Sequence, residues 1–342
     1  MKKIIRFGII VTLILGSILG YHFAQKIFLE KTQKEGFIYI SSKASFEDVK
    51  KEIEPFVKNM KHFEWVANQK NYPNVIKAGK YKIAKGWNNN NLINHLRSGN
   101  QEEVNVQFNN IETVSELAGK IAKQLETDSL AILNYVFQPD FLKKNNLTRE
   151  NVKQLFLPNT YNFYWNTSAK QFVDRMKKEY QKFWNSERKK KADKLGMNPL
   201  QIISLASIVE KETAKRDERP KVAGLYLNRL QKKWKLQSDP TVIYAVKQRV
   251  GFDTIIKRVL FKHLKEDSPY NTYLNYGVPP APINIPEPGS IDAVLNASKH
   301  DYMYMCASVK NWGYHEFASS LSEHEVNRKK YINWLNENQK KE

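Results

Sequence analysis

One cysteine, Cys306, is all that the 342-residue chain contains. A single thiol excludes an internal disulfide framework and a cysteine-built zinc cluster. It lies far from the N-terminal apolar run, which therefore carries no lipid-acceptor cysteine. Histidine is scarce as well, at seven residues. No two histidines stand at i,i+4 spacing with a third ligand, so His315 and His324 with their neighbouring glutamates do not read as a metal site. No cofactor is called for. There is no glycine-rich phosphate loop, no Gly-x-Ser-x-Gly elbow and no internal repeat. Acidic residues are the minority charge, 35 against 55 Lys and Arg, for a net charge of +20. Such a balance raises nucleic acid as a partner. Against it, the lysines are spread along the chain, with Lys189-Lys190-Lys191 the only long run. No recognition-helix, zinc-finger or RNA-binding aromatic pattern occurs. The basic surface fits anionic lipid headgroups better, with a lysine-rich background composition as the alternative.

What the chain does have is apolar material. Hydrophobic residues make up 41% and aromatics 12%, enough to build a core. Lys2, Lys3 and Arg6 precede an apolar run from Phe7 to Phe23, with Lys26 beyond. A cleavable signal peptide is the competing interpretation, but no small-x-small site follows and Tyr21-His22-Phe23 are bulky. The pattern predicts an uncleaved single-pass anchor: 1–6 cytoplasmic, 7–23 transmembrane, 24–35 a polar stalk. The basic flank places the remainder on the outer side of the cell (inner) membrane.

Beyond the stalk, Phe37-Ile38-Tyr39-Ile40 reads as a strand and Ser45 with Asp48 opens a helix. A second amphipathic stretch carries Phe63, Val66 and Ala67, and Gly79 to Ile83 alternates as a strand. Asn88 to Asn91 cap a helix that ends at Gly99. Residues 36–103 thus predict a small α/β unit of strand, two helices, strand, helix, and 104–342 a second, mixed α+β domain. In the latter, Thr113 caps a helix over 114–125 and residues 168–194 read as one long basic helix. Tyr302 to Cys306 reads as a buried strand, and His315-Glu316-Phe317 as another.

The second domain is organised around residues 198–230. Asn198-Pro199 signals a helix start, and Ile202, Ile203, Leu205, Ala206, Ile208 and Val209 lead to Glu210-Lys211-Glu212-Thr213. At about 100° per residue, Glu212 lies over Ile208 and Val209, Glu210 lies further round, and Lys211 points the opposite way. A carboxyl driven toward the core is desolvated and holds its proton to higher pH, the requirement for a general acid. Spacing alone leaves open that both glutamates are solvated or paired with Lys211, Lys215 and Arg216. Further on, Asp239-Pro240 reads as an N-cap with proline at the first helical position. Gln237 and Ser238 before it offer hydrogen bonds to sugar hydroxyls. The polar-aromatic loop Ser268 to Tyr273 and the rigid proline run from Gly277 to Pro288 also suit carbohydrate.

Four stretches in order, LASIVEKETAKRDERPKVAGLYLNRL, LQSDPTVIYA, SPYNTY and GVPPAPINIP, resemble the endolytic murein transglycosylases of the MltG or YceG-like family. The similarity spans nearly the whole chain, including the apolar N-terminus. Two positions depart from the family pattern: Asn159 stands for an acidic residue, and Ala281 for a common glycine. The resemblance implies Glu212 as the catalytic residue and a LysM-like subdomain over 36–103. It also implies a cleft with Tyr270, Asn271 and His315 beside Gln237, Ser238 and Asp239. The implied activity is lytic cleavage of peptidoglycan glycan strands, with peptidoglycan synthases (penicillin-binding proteins) as partners. Two alternatives stay open: a hydrolysing muramidase using Glu212 with Asp239 or Glu210, and a non-catalytic peptidoglycan-binding protein.

Overall fold

In the computed structural model, which describes residues 1–339, the chain forms two compact units. The first holds Met1–Val106 with Ala122–Thr127 and Tyr161–Ser168; the second holds Gln107–Ile121, Asp128–Thr160 and Ala169–Glu342. Helix α1 (Lys2–Ala24) continues through a π-helical turn, Gln25–Leu29. Its span Lys3–Leu29 is long and apolar enough to cross a membrane. The expected 7–23 anchor is the middle of this longer helix, because Ile4, Ile5, Ile27, Phe28 and Leu29 extend the apolar surface. Part of the stretch expected as a stalk, 24–35, is hydrogen-bonded to the rest of the first unit. Thr32 is buried, its N–H donates to the Trp87 carbonyl at 2.7 Å, and its hydroxyl donates to the Ala84 carbonyl at 2.7 Å. Asn89 reaches back to the Lys26 carbonyl at 2.8 Å. These buried polar bonds fold the segment onto its own unit.

The first unit follows the expected order: β1 (Gly36–Ile40), α2 (Phe46–Ile53), α3 (Met60–Gln69), β2 (Gly79–Ile83) and α4 (Asn89–Ser98). Strands β1 and β2 pair antiparallel, from Gly36 opposite Ile83 to Ile40 opposite Gly79. The period of two buries Ile38 and Ile40 and leaves Phe37 and Tyr39 outside. Ser45 and Asp48 form a capping box on α2, Asn88 caps α4, and Gly99 closes α4 at φ 77°. Two later segments join this unit. Glu126 accepts from the Ser41 hydroxyl at 2.7 Å and from the Ser42 N–H at 2.7 Å, and Trp165 packs edge-on against Tyr39. The chain thus returns to this unit twice after residue 106.

The chain then runs through β3 (Glu103–Phe108), α5 (Val114–Ala122), α6 (Ser129–Val136), α7 (Pro139–Lys144), β4 (Asn159–Tyr164), α8 (Ala169–Phe183) and α9 (Ser186–Lys194). It continues in α10 (Pro199–Glu212), α11 (Arg219–Gln231), α12 (Asp239–Val250), α13 (Pro288–Leu295), β5 (Tyr304–Ala307), β6 (His315–Ala318) and α14 (Leu321–Gln339). Strand β3 pairs with β4, and β5 pairs antiparallel with β6. The single basic helix expected over 168–194 is broken after Phe183, because Asn185 turns out of the helix and caps α9 through the Arg188 N–H. Strand β5 is half-buried rather than buried.

Helix α10 is the core of the second unit. Every residue from Ile202 to Val209 is buried, so the apolar stripe widens into a helix enclosed all round. It packs against α13, α11, α12 and α9. Helix α11 approaches the segment after α13 so closely that a Cβ on Gly224 would lie 2.3 Å from the Ser298 carbonyl oxygen. Only glycine fits there.

Candidate active site

Glu212 is the last residue of α10, where the chain turns into extended backbone at Thr213. Its Oε1 accepts two hydrogen bonds, from the Tyr226 hydroxyl of α11 at 2.7 Å and from the Ser238 hydroxyl at 2.5 Å. Among the described residues no group donates to Oε2. Burial raises the pKa of this carboxyl. The Ser238 and Tyr226 hydrogen bonds and the charge of His315 oppose the rise, and Asp239 adds to it. The residue nonetheless keeps partial solvent exposure. The carboxyl is thus surrounded by protein on the Oε1 side and open on the other, with both hydroxyls fixing Oε1 as acceptor and leaving Oε2 to carry the proton.

Ser238 is itself held by a buried hydroxyl network. Its N–H donates to Thr272 Oγ1 at 3.0 Å, and its carbonyl accepts from Thr241 Oγ1 at 2.6 Å. Thr241 and Thr272 hydroxyls lie 2.8 Å apart. Arg229 braces the approach, donating to the Leu236 carbonyl at 2.5 Å and the Met303 carbonyl at 2.8 Å. Buried, fully paired networks of this kind hold a side chain in one geometry.

Glu210 is engaged quite differently. Its Oε1 accepts from Asn284 at 2.7 Å, and its Oε2 accepts from the Glu287 N–H at 2.7 Å and the Ser290 hydroxyl at 2.6 Å. Arg219, nearly buried, lies 4.0 Å from Oε2 and 3.0 Å from Glu287. Both oxygens are consumed in tying α10 to the start of α13. A cavity of about 390 Å³ beside this cluster is lined by Arg216, Glu287, Asn159 and Thr160. On β6, the His315 N–H donates to Glu218 at 2.7 Å and its Nδ1 lies 3.0 Å from the same carboxylate. Burial works to raise the Glu218 pKa, but hydrogen bonds from His315 and Thr213 outweigh it and hold the group low.

Comparison with known proteins bears on this arrangement. The YceG-like family matches residues 38–330 of the chain. The chain belongs to that family. A relative from Bacillus subtilis strain 168, named endolytic murein transglycosylase, is 31% identical over 300 residues, covering 82% of this chain and 80% of the relative. One of the same name from Streptococcus pneumoniae serotype 2 strain D39 is 26% identical over 301 residues, covering 79% of this chain. The chain spans 53% of that longer protein. A crystal structure of a yceG-like protein from Listeria monocytogenes superposes with a TM-score of 0.57 at 25% identity, covering 86% of this chain and 98% of the other.

In this YceG-like chain the structure groups some of the expected site residues and separates others. Ser238 touches Glu212, while Asp239 and His315 act on it electrostatically. Asp239 is the first residue of α12, not its cap. Ser238 occupies the cap position, and its hydroxyl is committed to Glu212 instead of to the helix. The Asp239 carboxylate accepts from the Tyr273 hydroxyl at 2.7 Å. Gln237 sits at φ 49°, and its exposed side chain has no hydrogen-bond partner among the described residues. Asn271 is buried and organises its loop, donating to the Leu264 and Glu266 carbonyls at 3.0 and 2.9 Å. Tyr270 is a core residue whose ring packs on Tyr244 with centroids 4.8 Å apart. Neither Tyr270 nor Asn271 hydrogen-bonds Glu212.

Sequence reasoning misses Tyr226, which reads only as part of an apolar stripe, and Tyr273. The one available signal is chemical: a tyrosine on a buried helix face must find a partner for its hydroxyl. The Ser238 bond gives a direct expectation. Removing a donor that lowers the Glu212 pKa lets burial raise it further; if Glu212 is the general acid, Ser238→Ala is expected to move the alkaline fall of activity to higher pH. Loss of positioning lowers kcat roughly 10- to 100-fold. A kcat–pH profile of the two proteins checks both, and an unshifted alkaline limb refutes the pKa argument.

Proposed function

We propose that this protein is a membrane-anchored endolytic lytic transglycosylase. It cleaves the MurNAc–GlcNAc bonds of peptidoglycan glycan strands and leaves 1,6-anhydroMurNAc ends. The observation that carries the reading is a single carboxyl, Glu212, pinned at Oε1 and open at Oε2, with its pKa raised by burial. A hydrolase of the two-carboxylate type needs a second group as nucleophile or base. Glu210 has both oxygens occupied, and Asp239, with one oxygen accepting from Tyr273, is assigned to holding sugar in this reading. A lytic transglycosylase needs only one group. In this reading Oε2 of Glu212 protonates the glycosidic oxygen as the C1–O bond breaks. The resulting carboxylate then takes the proton of the muramyl C6 hydroxyl as that oxygen bonds to C1. Tyr226 and Ser238 hold the carboxyl in place through both steps. Gln237, Asp239 and His315 position sugar, Asn271 keeps the loop in register, and the cavity beside Arg216 accommodates further strand.

The names of the relatives support peptidoglycan as substrate. The apolar N-terminal helix supports an anchor with the rest of the chain outside the cell membrane. There the enzyme meets nascent strands beside the synthases and terminates their elongation, and the LysM-like unit over 36–103 spaces or presents the strand. The test is mass spectrometry of uncrosslinked strands treated with the full chain in detergent. Internal cuts ending in anhydromuramyl residues are expected. Reducing ends would mean a muramidase, and intact strands a binding protein.

A further inference from the structure

The apolar N-terminal helix and the body of the first unit meet at one place, and the residues fix how deep that place lies in a bilayer. Residues 7–25 carry no Asp, Glu, Lys or Arg, with Arg6 before them and Lys26 after. At 1.5 Å per residue this uncharged stretch is about 28 Å long, close to a hydrocarbon thickness of about 30 Å. The helix does not stop there. It runs on to Leu29 through the π-helical turn, and only at Glu30 is the backbone extended. Lys26 thus stands at the edge of the hydrocarbon, and the turn after it stands among the headgroups.

Helix α3 is packed on that same turn. The Trp65 and Phe23 rings lie 5.4 Å apart, and Lys26 Nζ stands 5.0 Å from the centre of the Trp65 ring. His62 Nδ1 lies 2.9 Å from the Glu30 carboxylate, and Ile27 packs on the core of the unit. Contacts before, at and after Lys26 hold α3 at the depth of the boundary. At about 100° per residue, Lys61, Trp65 and Asn68 share the side of α3 turned away from the buried Phe63, Val66 and Ala67. Lys61 is exposed and has no ion pair among the described residues. Phe28 and Leu29, beyond Lys26, keep 50% and 52% of their surface open. An indole beside lysines at the end of an apolar span suits the membrane–water interface. The ring lies at headgroup level there, and the amines reach phosphate.

We propose that the first unit is seated directly on an anionic bilayer, with α3 in the headgroup layer, Trp65, Phe28 and Leu29 in the interface and Lys61 against lipid phosphate. Lipid is the occupant of this face because the face continues the surface of the spanning helix and carries the complementary charge. The inference rests on the anchor reading above and adds to it the depth of α3 and the side of the unit that meets the membrane.

Cys306 is the one cysteine, so Cys306→Ser gives a background for single fluorescent labels. The full chain is labelled at Leu13→Cys in the span, at Asn68→Cys on α3, or at Lys43→Cys. Lys43 is exposed beyond β1, a strand of about 17 Å that leads away from the stalk segment. Each protein is reconstituted in vesicles of phosphatidylglycerol and phosphatidylcholine, with nitroxides carried on the headgroup or deep in the acyl chain. The Leu13 label should be quenched by the deep nitroxide. The Asn68 label should be quenched by the headgroup nitroxide about threefold or more above the Lys43 label, and less in phosphatidylcholine alone. Trp65→Ala should remove most of the Asn68 quenching and leave that at Leu13 unchanged, with a thermal melt to establish folding. Lys61→Glu, on an exposed side chain, should weaken it in the same direction. Equal quenching at Asn68 and Lys43, no dependence on phosphatidylglycerol, or wild-type quenching in both folded variants overturns the proposal. So does an Asn68 label shielded from the nitroxides and from aqueous iodide alike, which would mean a protein on this face. A Leu13 label quenched by iodide and not by the deep nitroxide sinks the anchor reading itself. A deep Leu13 label with an unquenched Asn68 label sinks only the seating of α3.

Discussion

Glu212→Gln is expected to lose glycan cleavage by roughly 10³-fold while melting no lower than the wild type. The amide keeps an oxygen at the Oε1 position to accept from Tyr226 and Ser238, so the surrounding geometry survives. What disappears is the transferable proton at Oε2. The stability direction follows from the raised pKa of Glu212. Between its unfolded and folded pKa values the native chain binds more protons than the unfolded chain, so stability falls as pH rises through that interval. Above it the cost of burying a charge is fully present in the wild type and absent from the amide variant. The gain in melting temperature from Glu212→Gln should therefore grow with pH across that window. Parallel melts at several pH values, beside a strand-cleavage assay, check both halves. An active Glu212→Gln would end the assignment of the acid, and a variant that melts well below wild type would show that the carboxylate serves the fold.

Glu210→Ala should do the opposite, lowering stability by about 3–5 kcal/mol. Truncation strands the Asn284 amide, the Glu287 N–H and the Ser290 hydroxyl, and takes an anion from beside Arg219. Asn284 and Ser290 are fully buried, so water does not replace the lost acceptor. For a unit of this size the melting temperature should fall on the order of 10 °C. Activity of the folded fraction should be retained. If Glu210→Ala instead melts like wild type and stops cutting, Glu210 is the second carboxylate and the muramidase mechanism is revived. The two glutamates, two positions apart on one helix, are thus separated by which property each variant loses.

Much of the fold is legible in the residues themselves. Caps at Ser45, Asn88 and Asn198 and the strand at 37–40 are local signals, and they appear where the residues predict them. The same holds for the apolar N-terminal helix, because a long apolar run needs no tertiary partner to be recognised. The break at Asn185 and the packed stalk at Thr32 are not legible in this way. In each case a short polar side chain finds a backbone partner that the hydropathy pattern does not encode.

For the site, the periodicity of α10 by itself put Glu212 over the apolar stripe and left its solvation open, and motif order pointed to the family. Helix geometry is short-range, repeating every 3.6 residues, so a face can be counted along the chain. Only the tertiary structure decided which glutamate keeps an open oxygen. The partners that settle it are Tyr226, Ser238, Asn284, Glu287 and Ser290, brought from other segments of the second unit. The pKa of Glu212 was likewise out of reach of the sequence, since desolvation and hydrogen bonding both depend on what packs around the carboxyl. The packing of Tyr270 on Tyr244 is hidden for the same reason: nothing in its neighbours along the chain says which ring it will meet.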